Sequence, residues 1–430
     1  MKKIYFLIAL VTATVMASCT KEQEDFFSDT SARRADATLT ADMAVLTSAQ
    51  NGWLMQYFPE SQQSFGGYNL IARFKTDGTV EVTDEFNADT VYTSLYSVKQ
   101  SAGAVLVFDS YNVALHAYSD PAGPNTSVGS NGLGAGMDGE FEFSILKATA
   151  TEVELKGKKT GNRVVLTPMA DNDWTGYLDK ISEVATAMKS KKYNLQLADT
   201  TLVAVTSDRT LAVNYIEDGE KKEMTIPFVV TTQGMTLYEP VEIRGQKLSG
   251  FSYVEGEDVF PATDTDGIKL AIVYPTLAEL ATESWWCMAF SGMGELGQKN
   301  WTTLKRVEEM LGETLQYAIF GLYDGNFGIT FSSSGYWGSL LFNYALVSDD
   351  ELTLQFYAGN ARDNGAWYVN NAYYGNYFVA PFGNKATGPR TFKLTADDPN
   401  DPSWILMTDE ADPTNTIMLY GEIIPNPLDN

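Results

Sequence analysis

The chain has 430 residues, of which 44% are hydrophobic and 20% charged, so it has a globular composition with room for two or three domains of roughly 100–200 residues each. Its single histidine and two cysteines exclude a histidine-rich zinc site, a four-cysteine metal site and a disulfide framework. The formal net charge of −25 disfavours nucleic acid as a partner, because phosphate binding requires a basic surface.

The N-terminus predicts a secretory signal. Two lysines precede the apolar run Ile4–Val15, and small residues precede Cys19. This arrangement resembles a bacterial lipoprotein signal, which implies cleavage after residues 1–18 and acylation of Cys19. A membrane-spanning helix would need about 20 apolar residues, and this run is too short. Because several acyl chains hold a protein firmly in a bilayer, we expect attachment through Cys19 to outer-membrane lipid.

The segment after Cys19 is acidic. The run Thr20–Asp25 resembles the surface-export signal of Bacteroidetes lipoproteins, which implies exposure at the cell surface. The alternative is that these charges only keep a tether in solution. Both interpretations predict a flexible tether over residues 19–37.

From residue 38 to residue 172 the pattern predicts an N-terminal β domain that opens with a short helix over residues 38–50. Asp77 and Gly78 are typical of a tight turn, and they join Ile71–Lys75 to Thr79–Thr83 as a hairpin. The other strands predicted here are Tyr92–Val98, Ala104–Asp109, Glu140–Leu146, Thr151–Lys156 and Arg163–Thr167.

Residues 173–193 interrupt this pattern, because their large apolar side chains recur at helical spacing and predict an amphipathic linking helix. A C-terminal β-rich domain with short helices follows over residues 194–430. Its helices are predicted at Pro275–Thr282 and Trp301–Leu311, and strands are expected from Ile319 to about Glu422. The expected fold is therefore mainly β, with two lobes of antiparallel sandwich or lipocalin-like barrel type joined by a central amphipathic helix.

The segment Phe320–Phe382 is the richest in aromatic residues, which make up 17 of its 63 positions against 12% of the whole chain. Some of these rings belong to the core, whereas others lie among glycine and asparagine and are predicted in loops. Exposed tyrosine and tryptophan beside polar groups are typical of sugar- or peptide-binding surfaces, of protein interfaces, and of lids. The candidate binding residues are Tyr336, Trp337, Arg362, Trp367, Tyr368, Tyr373, Tyr374 and Tyr377.

His116 is the only imidazole, and a polar site is conceivable if Asp109 and Asp120 orient it. A structural role is the alternative. The run Gly134–Gly139 matches a dinucleotide fingerprint in spacing, but it precedes a strand and not a helix, so it is rejected. No motif selects a catalytic residue, and we expect no metal and no cofactor.

Several runs resemble one family of Bacteroidetes surface lipoproteins known only as a domain of unknown function. They are Gly66–Asn69, Phe74–Gly78, Phe108–Asn112, His116–Pro121, Gly139–Phe143 and Leu155–Lys159. The resemblance implies an accessory lipoprotein that works beside a SusC/SusD-like, TonB-dependent outer-membrane importer. It implies no catalytic or binding residues.

These patterns together predict a lipid-anchored cell-surface protein that binds or presents a nutrient, an oligosaccharide or a peptide, to such an importer. The alternative is a structural or adhesive surface subunit whose aromatic residues form a protein–protein interface. A hydrolase is a third hypothesis, which would need two close carboxylates or His116 beside a nucleophile.

Overall fold

The structure is a computed structural model that describes residues 30–120, 136–371 and 374–430. Its main elements are antiparallel strands, so the predicted mainly β fold is confirmed. The chain divides into two compact units at Val273 and Tyr274. The division falls after the second of three sheets, whereas the sequence suggested a boundary at residues 173–193.

A helix, α1 (Ser31–Leu46), comes first in the described chain. The Thr30 side chain accepts a hydrogen bond from the Arg33 amide and caps its first turn. The buried Leu46 ends it, and the Leu46 carbonyl accepts a hydrogen bond from the Trp53 indole at 2.8 Å. The helix is thus longer than predicted, and residues 31–37 of the expected tether are helical.

The first eight strands form a closed antiparallel barrel in which each strand pairs with the next and β1 pairs with β8. They are Trp53–Tyr57 (β1), Tyr68–Phe74 (β2), Thr79–Asp84 (β3), Tyr92–Gln100 (β4), Ala104–Phe108 (β5), Glu142–Thr149 (β6), Glu152–Gly157 (β7) and Arg163–Pro168 (β8). The predicted hairpin is confirmed as β2 and β3, with Phe74 opposite Val80. A short helix, α2 (Val113–His116), and a 3₁₀ turn at Ala117–Ser119 follow β5.

The predicted amphipathic helix is α3 (Trp174–Ala187), whose first turn is capped by the Asp173 carboxylate. Its buried side chains include Leu178 and Ile181, and they pack in one core with the second sheet. The helix therefore belongs to the first unit.

The second sheet has eight strands in the order β14-β13-β12-β11-β10-β9-β16-β15. They are Lys192–Gln196 (β9), Thr201–Ser207 (β10), Thr210–Glu217 (β11), Glu220–Thr231 (β12), Gly234–Ile243 (β13), Gln246–Ser252 (β14), Val259–Pro261 (β15) and Lys269–Val273 (β16). The two end strands meet through a single bridge between Phe251 and Ala262. This sheet is thus rolled up but joined at its seam by one bridge.

The second unit contains a further closed barrel, built from β17 to β25. Its strands are Trp285–Cys287 (β17), Leu315–Tyr323 (β18), Asn326–Ser333 (β19), Tyr336–Ser348 (β20), Glu351–Asp363 (β21), Gly383–Asn384 (β22), Gly388–Ala396 (β23), Trp404–Asp409 (β24) and Thr416–Tyr420 (β25). Its helices are Leu277–Glu283 (α4), Glu295–Leu311 (α5), Asn364–Asn370 (α6) and Tyr374–Val379 (α7), with 3₁₀ turns at Phe290–Gly292 and Ala380–Phe382.

The prediction of continuous strands after Ile319 is wrong at α6 and α7. These helices follow the long β21 strand and bury side chains at helical spacing, as Tyr374 and Phe378 show. They lie against the barrel core, and Tyr374 and Phe378 are about one helical turn apart on the face that meets it.

Candidate functional site

An aromatic cleft of about 340 Å³ lies on the second unit, against strands β17, β18 and β20. We name it the Trp337 cleft, and its lining residues are Trp285, Cys287, Tyr317, Ile319, Tyr323, Trp337 and Ile423. The side chains of neighbouring strand residues Ala318 and Phe320 belong to the barrel core. Because side chains alternate along a strand, the cleft lies on the outer face of the barrel.

The strand register explains how the cleft forms. Tyr317 on β18 lies opposite Ser332 on β19, which in turn lies opposite Trp337 on β20. The small Ser332 side chain separates the two large rings. In a neighbouring row Trp285 lies opposite Gly321, which has a φ of +112° and whose added Cβ would approach the Ser284 carbonyl to 2.1 Å. Small residues thus leave a depression between large aromatic ones.

The rings of the Trp337 cleft are nearly parallel. The Trp337 ring centre is 6.2 Å from that of Tyr317, with 12° between the planes, and 6.1 Å from that of Tyr323, with 3° between them. Trp337 remains 41% exposed and Trp285 42% exposed. Aligned, solvent-accessible ring faces can stack on the apolar face of a sugar ring or on another planar group, and the tyrosine hydroxyls can form hydrogen bonds.

Cys287 lies at the floor of the cleft and is 1% exposed. Burial raises the pKa of its thiol, so the reactive thiolate is scarce at neutral pH. An inert structural thiol, as the apolar sequence around it suggests, fits this environment.

Cys287 is therefore expected to react with the disulfide reagent DTNB at least about tenfold more slowly in the native chain than in urea, since both burial and protonation oppose attack. A chain that starts after Cys19 contains Cys287 as its only cysteine, so the reaction reports this thiol alone. Fast reaction of the folded protein would show that the floor of the cleft is open to reagents.

The other predicted aromatic residues are dispersed. Tyr336 is exposed at the start of β20, next to Trp337. Arg362 is exposed near the end of β21 and donates to the carbonyls of Gly359 and Ala361. Trp367 on α6 is 47% exposed and packs its ring edge against Tyr368 at 5.1 Å. None of these three lines the Trp337 cleft.

The expectation that Tyr368 and Tyr374 are loop residues is wrong, because both are buried in the barrel core on α6 and α7. Their hydroxyls donate to carboxylates, Tyr368 to Glu313 at 2.5 Å and Tyr374 to Glu308 at 2.8 Å. Burial raises the pKa of Glu308 and of both phenols. These contacts satisfy polar groups at the end of the core.

Two other predicted residues of this set remain. Tyr377 is half-buried and packs against the same core, away from the Trp337 cleft. Tyr373 lies outside the described residues.

The possible polar site around His116 is occupied by structural contacts. The His116 ring stacks on Phe141 at 4.8 Å, and its Nδ1 accepts a hydrogen bond from the Asn112 amide at 3.1 Å. Burial lowers the pKa of the imidazole. Asp109 pairs with Lys99, and Asp120 accepts a hydrogen bond from the Tyr111 hydroxyl. These partners fit the structural role for His116.

Within residues 30–120, 136–371 and 374–430, no group of three or more histidine, cysteine, aspartate or glutamate side chains is arranged to hold a metal ion. In the same ranges no helix is both long enough and apolar enough to span a bilayer. The predicted signal over residues 1–18 and the lipidation site Cys19 lie outside the described residues.

Sequence reasoning identified Trp337 but missed Trp285, Tyr317 and Tyr323. A weak signal existed for the two tyrosines, because side chains alternate along β18. Tyr317 and Tyr323 lie on the face opposite the core residues Ala318 and Phe320, where burial does not call for an aromatic ring. The approach of Trp285 could not be foreseen, since it depends on the pairing of β17 with β18 across the intervening helix α5.

Comparisons with known proteins place the chain in the family described as Domain of unknown function (DUF4302), which matches residues 23–255. The match ends before the second unit, so the Trp337 cleft lies outside it. A search of curated proteins gives no match.

Among solved structures, the chain is aligned with DNA polymerase III beta subunits at very low similarity. The protein from Eubacterium rectale is 7% identical, with 92% of this chain and 98% of that one covered and a TM-score of 0.10. The protein from Thermotoga maritima is 6% identical, with 91% and 97% covered and a TM-score of 0.11. Likeness at this level carries no inference about fold or activity.

Proposed function

We propose that this protein is a lipid-anchored cell-surface accessory protein that binds an oligosaccharide in the Trp337 cleft and presents it to a SusC/SusD-like importer. The observation that carries the proposal is the parallel alignment of Tyr317, Trp337 and Tyr323 beside the exposed Trp285. Stacking on the apolar faces of sugar rings requires such flat and accessible aromatic surfaces.

The size and lining of the cleft support a ligand of this kind. About 340 Å³ is within the range of small-molecule sites, and one or two sugar rings fill such a volume. The lining is aromatic and aliphatic, and charged side chains do not contribute to it. An uncharged ligand with apolar faces and hydroxyl edges therefore suits the cleft better than an ionic one.

The anchor and the importer in this proposal rest on the sequence. The lysines, apolar run and Cys19 at the N-terminus resemble a lipoprotein signal, and the acidic run after Cys19 resembles a surface-export signal. Confinement to one membrane would raise the effective concentration of the bound sugar near a transporter.

Replacing Trp337 by alanine is expected to weaken oligosaccharide binding about 30-fold, because a central aromatic anchor contributes about 2 kcal/mol. Binding of the chain without its first 19 residues would be screened on a glycan array, and its best ligand measured by calorimetry. Trp367→Ala is the matched control, since Trp367 is similarly exposed but lies outside the cleft. Equal losses in both variants, or no glycan bound, would contradict the assignment.

The importer is tested separately by capture. The same soluble chain, immobilised and exposed to detergent-solubilised Bacteroidetes outer membranes, is expected to retain a SusC/SusD-like pair. Retention of no transporter, with glycan binding intact, would leave a binding protein that acts without an importer.

A protein interface is the second candidate function, favoured by the far end of β20. Tyr344, Leu346 and Val347 are exposed there. A group of exposed large apolar side chains is typical of a surface that contacts another protein. A structural or adhesive subunit would self-associate through this strand end. Leu346→Glu would then abolish oligomers seen by light scattering and leave glycan binding unchanged.

A further inference from the structure

A larger cavity, of about 650 Å³, lies in the first unit where the end of α3 meets one end of the rolled second sheet. Among its lining residues, Tyr193 is near the start of β9, Thr206 near the end of β10 and Met235 near the start of β13. Because neighbouring strands from β9 to β13 are antiparallel, these positions all fall at the same end of the sheet. The mouth of a rolled sheet is a frequent place for a small-molecule site.

The floor of this cavity is apolar. It consists of core side chains that are each at least nine-tenths buried, namely Met188, Tyr193, Phe228, Val230 and Met235. The volume is within the range of sites for small organic molecules. An occupant must therefore place an apolar group against this floor, since a polar one would lose its hydration there.

Three hydroxyl groups in the lining already donate to backbone carbonyls. The Tyr193 hydroxyl donates to the Met188 carbonyl, and the Thr206 hydroxyl to the Ser190 carbonyl. The Ser190 hydroxyl donates to the Lys192 carbonyl at 2.6 Å. A hydroxyl has one proton, so these groups can accept a hydrogen bond from an occupant but have none to donate to an anion.

The charged side chains around the cavity are of both signs. A smaller space of about 200 Å³ joins it, and the charged residues that line the two are Lys189, Lys191, Arg209, Asp208 and Glu85. Arg209 is paired with Glu85, and Lys191 also has an interaction partner. An ion of either sign would meet a like charge here, so the lining does not favour an ionic ligand.

We propose that this cavity binds an uncharged, mainly apolar molecule, a long-chain alcohol or a similar neutral amphiphile, with its chain against Met188, Phe228 and Met235. Such a ligand needs no counter-ion, and it leaves the pair of Arg209 and Glu85 intact. The site is separate from the Trp337 cleft and lies in the other unit, so it does not depend on sugar binding.

Decanol is the probe, and decanoate and decyltrimethylammonium are its anionic and cationic counterparts of equal chain length. Each is titrated, below its solubility limit and micelle concentration, into the chain without its first 19 residues, with calorimetry as the readout. Decanol is expected to bind at least about tenfold more tightly than either ion, because a charged head would lose hydration beside the apolar floor. Octanol, which is two methylene groups shorter, is expected to bind about 15-fold more weakly than decanol.

A matched pair of variants tests the place of binding. Ala185 lines both spaces, so Ala185→Trp fills them with a large ring and is expected to weaken decanol binding at least about tenfold. Ala187→Trp is the control, because Ala187 is exposed on the same helix and outside the lining. Lys189→Gln is expected to leave the decanol affinity within about twofold of wild type, because a neutral head group forms no ion pair.

Far-UV circular dichroism and the melting temperature show whether each variant folds. If Ala185→Trp does not fold, Ala185→Leu with Ala187→Leu as its control tests the same point with a smaller side chain, and weaker decanol binding is again expected only at position 185. Three results would each overturn the proposal. They are an ion that binds as tightly as decanol, equal decanol binding by the variants at positions 185 and 187, and loss of decanol binding in Lys189→Gln.

Discussion

Arg209→Ala is expected to destabilise the first unit by about 3–5 kcal/mol, because it would leave the Glu85 carboxylate buried without its counter-charge. Arg209 Nη1 lies 2.5 Å from Glu85 Oε1, and the two side chains are only 17% and 4% exposed. The same guanidinium donates to the Gly67 carbonyl at 2.7 Å and lies 4.6 Å above the Tyr68 ring. One side chain of the second sheet thus holds three groups of the first barrel.

The loss is measured as the change in the urea-unfolding midpoint followed by circular dichroism. Arg163→Ala is the matched control, since its partner Glu154 is a surface carboxylate and the two side chains are 53% and 27% exposed. That change is expected to cost less than about 1 kcal/mol. Arg209→Leu with Glu85→Leu should recover much of the loss, because no unpaired charge remains. Equal effects of Arg209→Ala and Arg163→Ala would show that the buried pair is not a special link.

Asp84→Asn is expected to stabilise the protein by about 3 kcal/mol at neutral pH and to have little effect near pH 4. Burial raises the pKa of Asp84 to about 6 from an ordinary value of 3.8. The Asn87 amide and side chain donate to one carboxylate oxygen, whereas the other oxygen is buried without a hydrogen bond among the described residues. An asparagine retains the acceptor oxygen and removes the charge.

The direction in which the free energy of unfolding changes with pH follows from proton binding. Between about pH 4 and about pH 6 the folded state retains the proton that the unfolded state has lost, so the wild-type free energy of unfolding falls as the pH rises. A shift of about two pKa units corresponds to about 3 kcal/mol. Urea unfolding of both proteins across this range measures the difference. Asp77→Asn is the control, because Asp77 is on the surface at the hairpin turn. A difference between wild type and Asp84→Asn that does not change with pH would contradict the prediction.

Local signals in the sequence predicted local structure. Asp77 and Gly78 specify a turn, and the Asp77 carboxylate accepts the Thr79 amide at 2.9 Å. The apolar spacing over residues 173–193 likewise specified α3. The closure of the first barrel was beyond these signals, because Leu54 and Thr167 pair across more than a hundred residues of chain.

In the candidate site too, neighbouring residues in the sequence predict some features, whereas contacts between distant strands determine others. Glycine and asparagine around Tyr374 suggested a loop, but burial against the barrel core favours a helix and overrides the weak local preference. Trp337 could be found as an aromatic residue near a turn. The approach of Trp285 could not be found, because it reaches the cleft only through the pairing of β17 with β18.

The single bridge that joins the ends of the second sheet bears on how the protein avoids aggregation. The closed barrels have no free edges, whereas β14 and β15 each offer backbone groups that another chain could pair with. Strand β15 is only three residues long and ends at Pro261, which has no amide hydrogen to donate. The segment after β15 also forms hydrogen bonds with β14. The Thr263 amide donates to the Gly250 carbonyl at 3.0 Å, and the Thr265 hydroxyl donates to the Lys247 carbonyl at 2.7 Å. The Ser249 amide donates to the Asp264 carboxylate at 3.2 Å. A short strand, a proline and these crossing hydrogen bonds thus protect the seam from pairing with a strand of a neighbouring molecule.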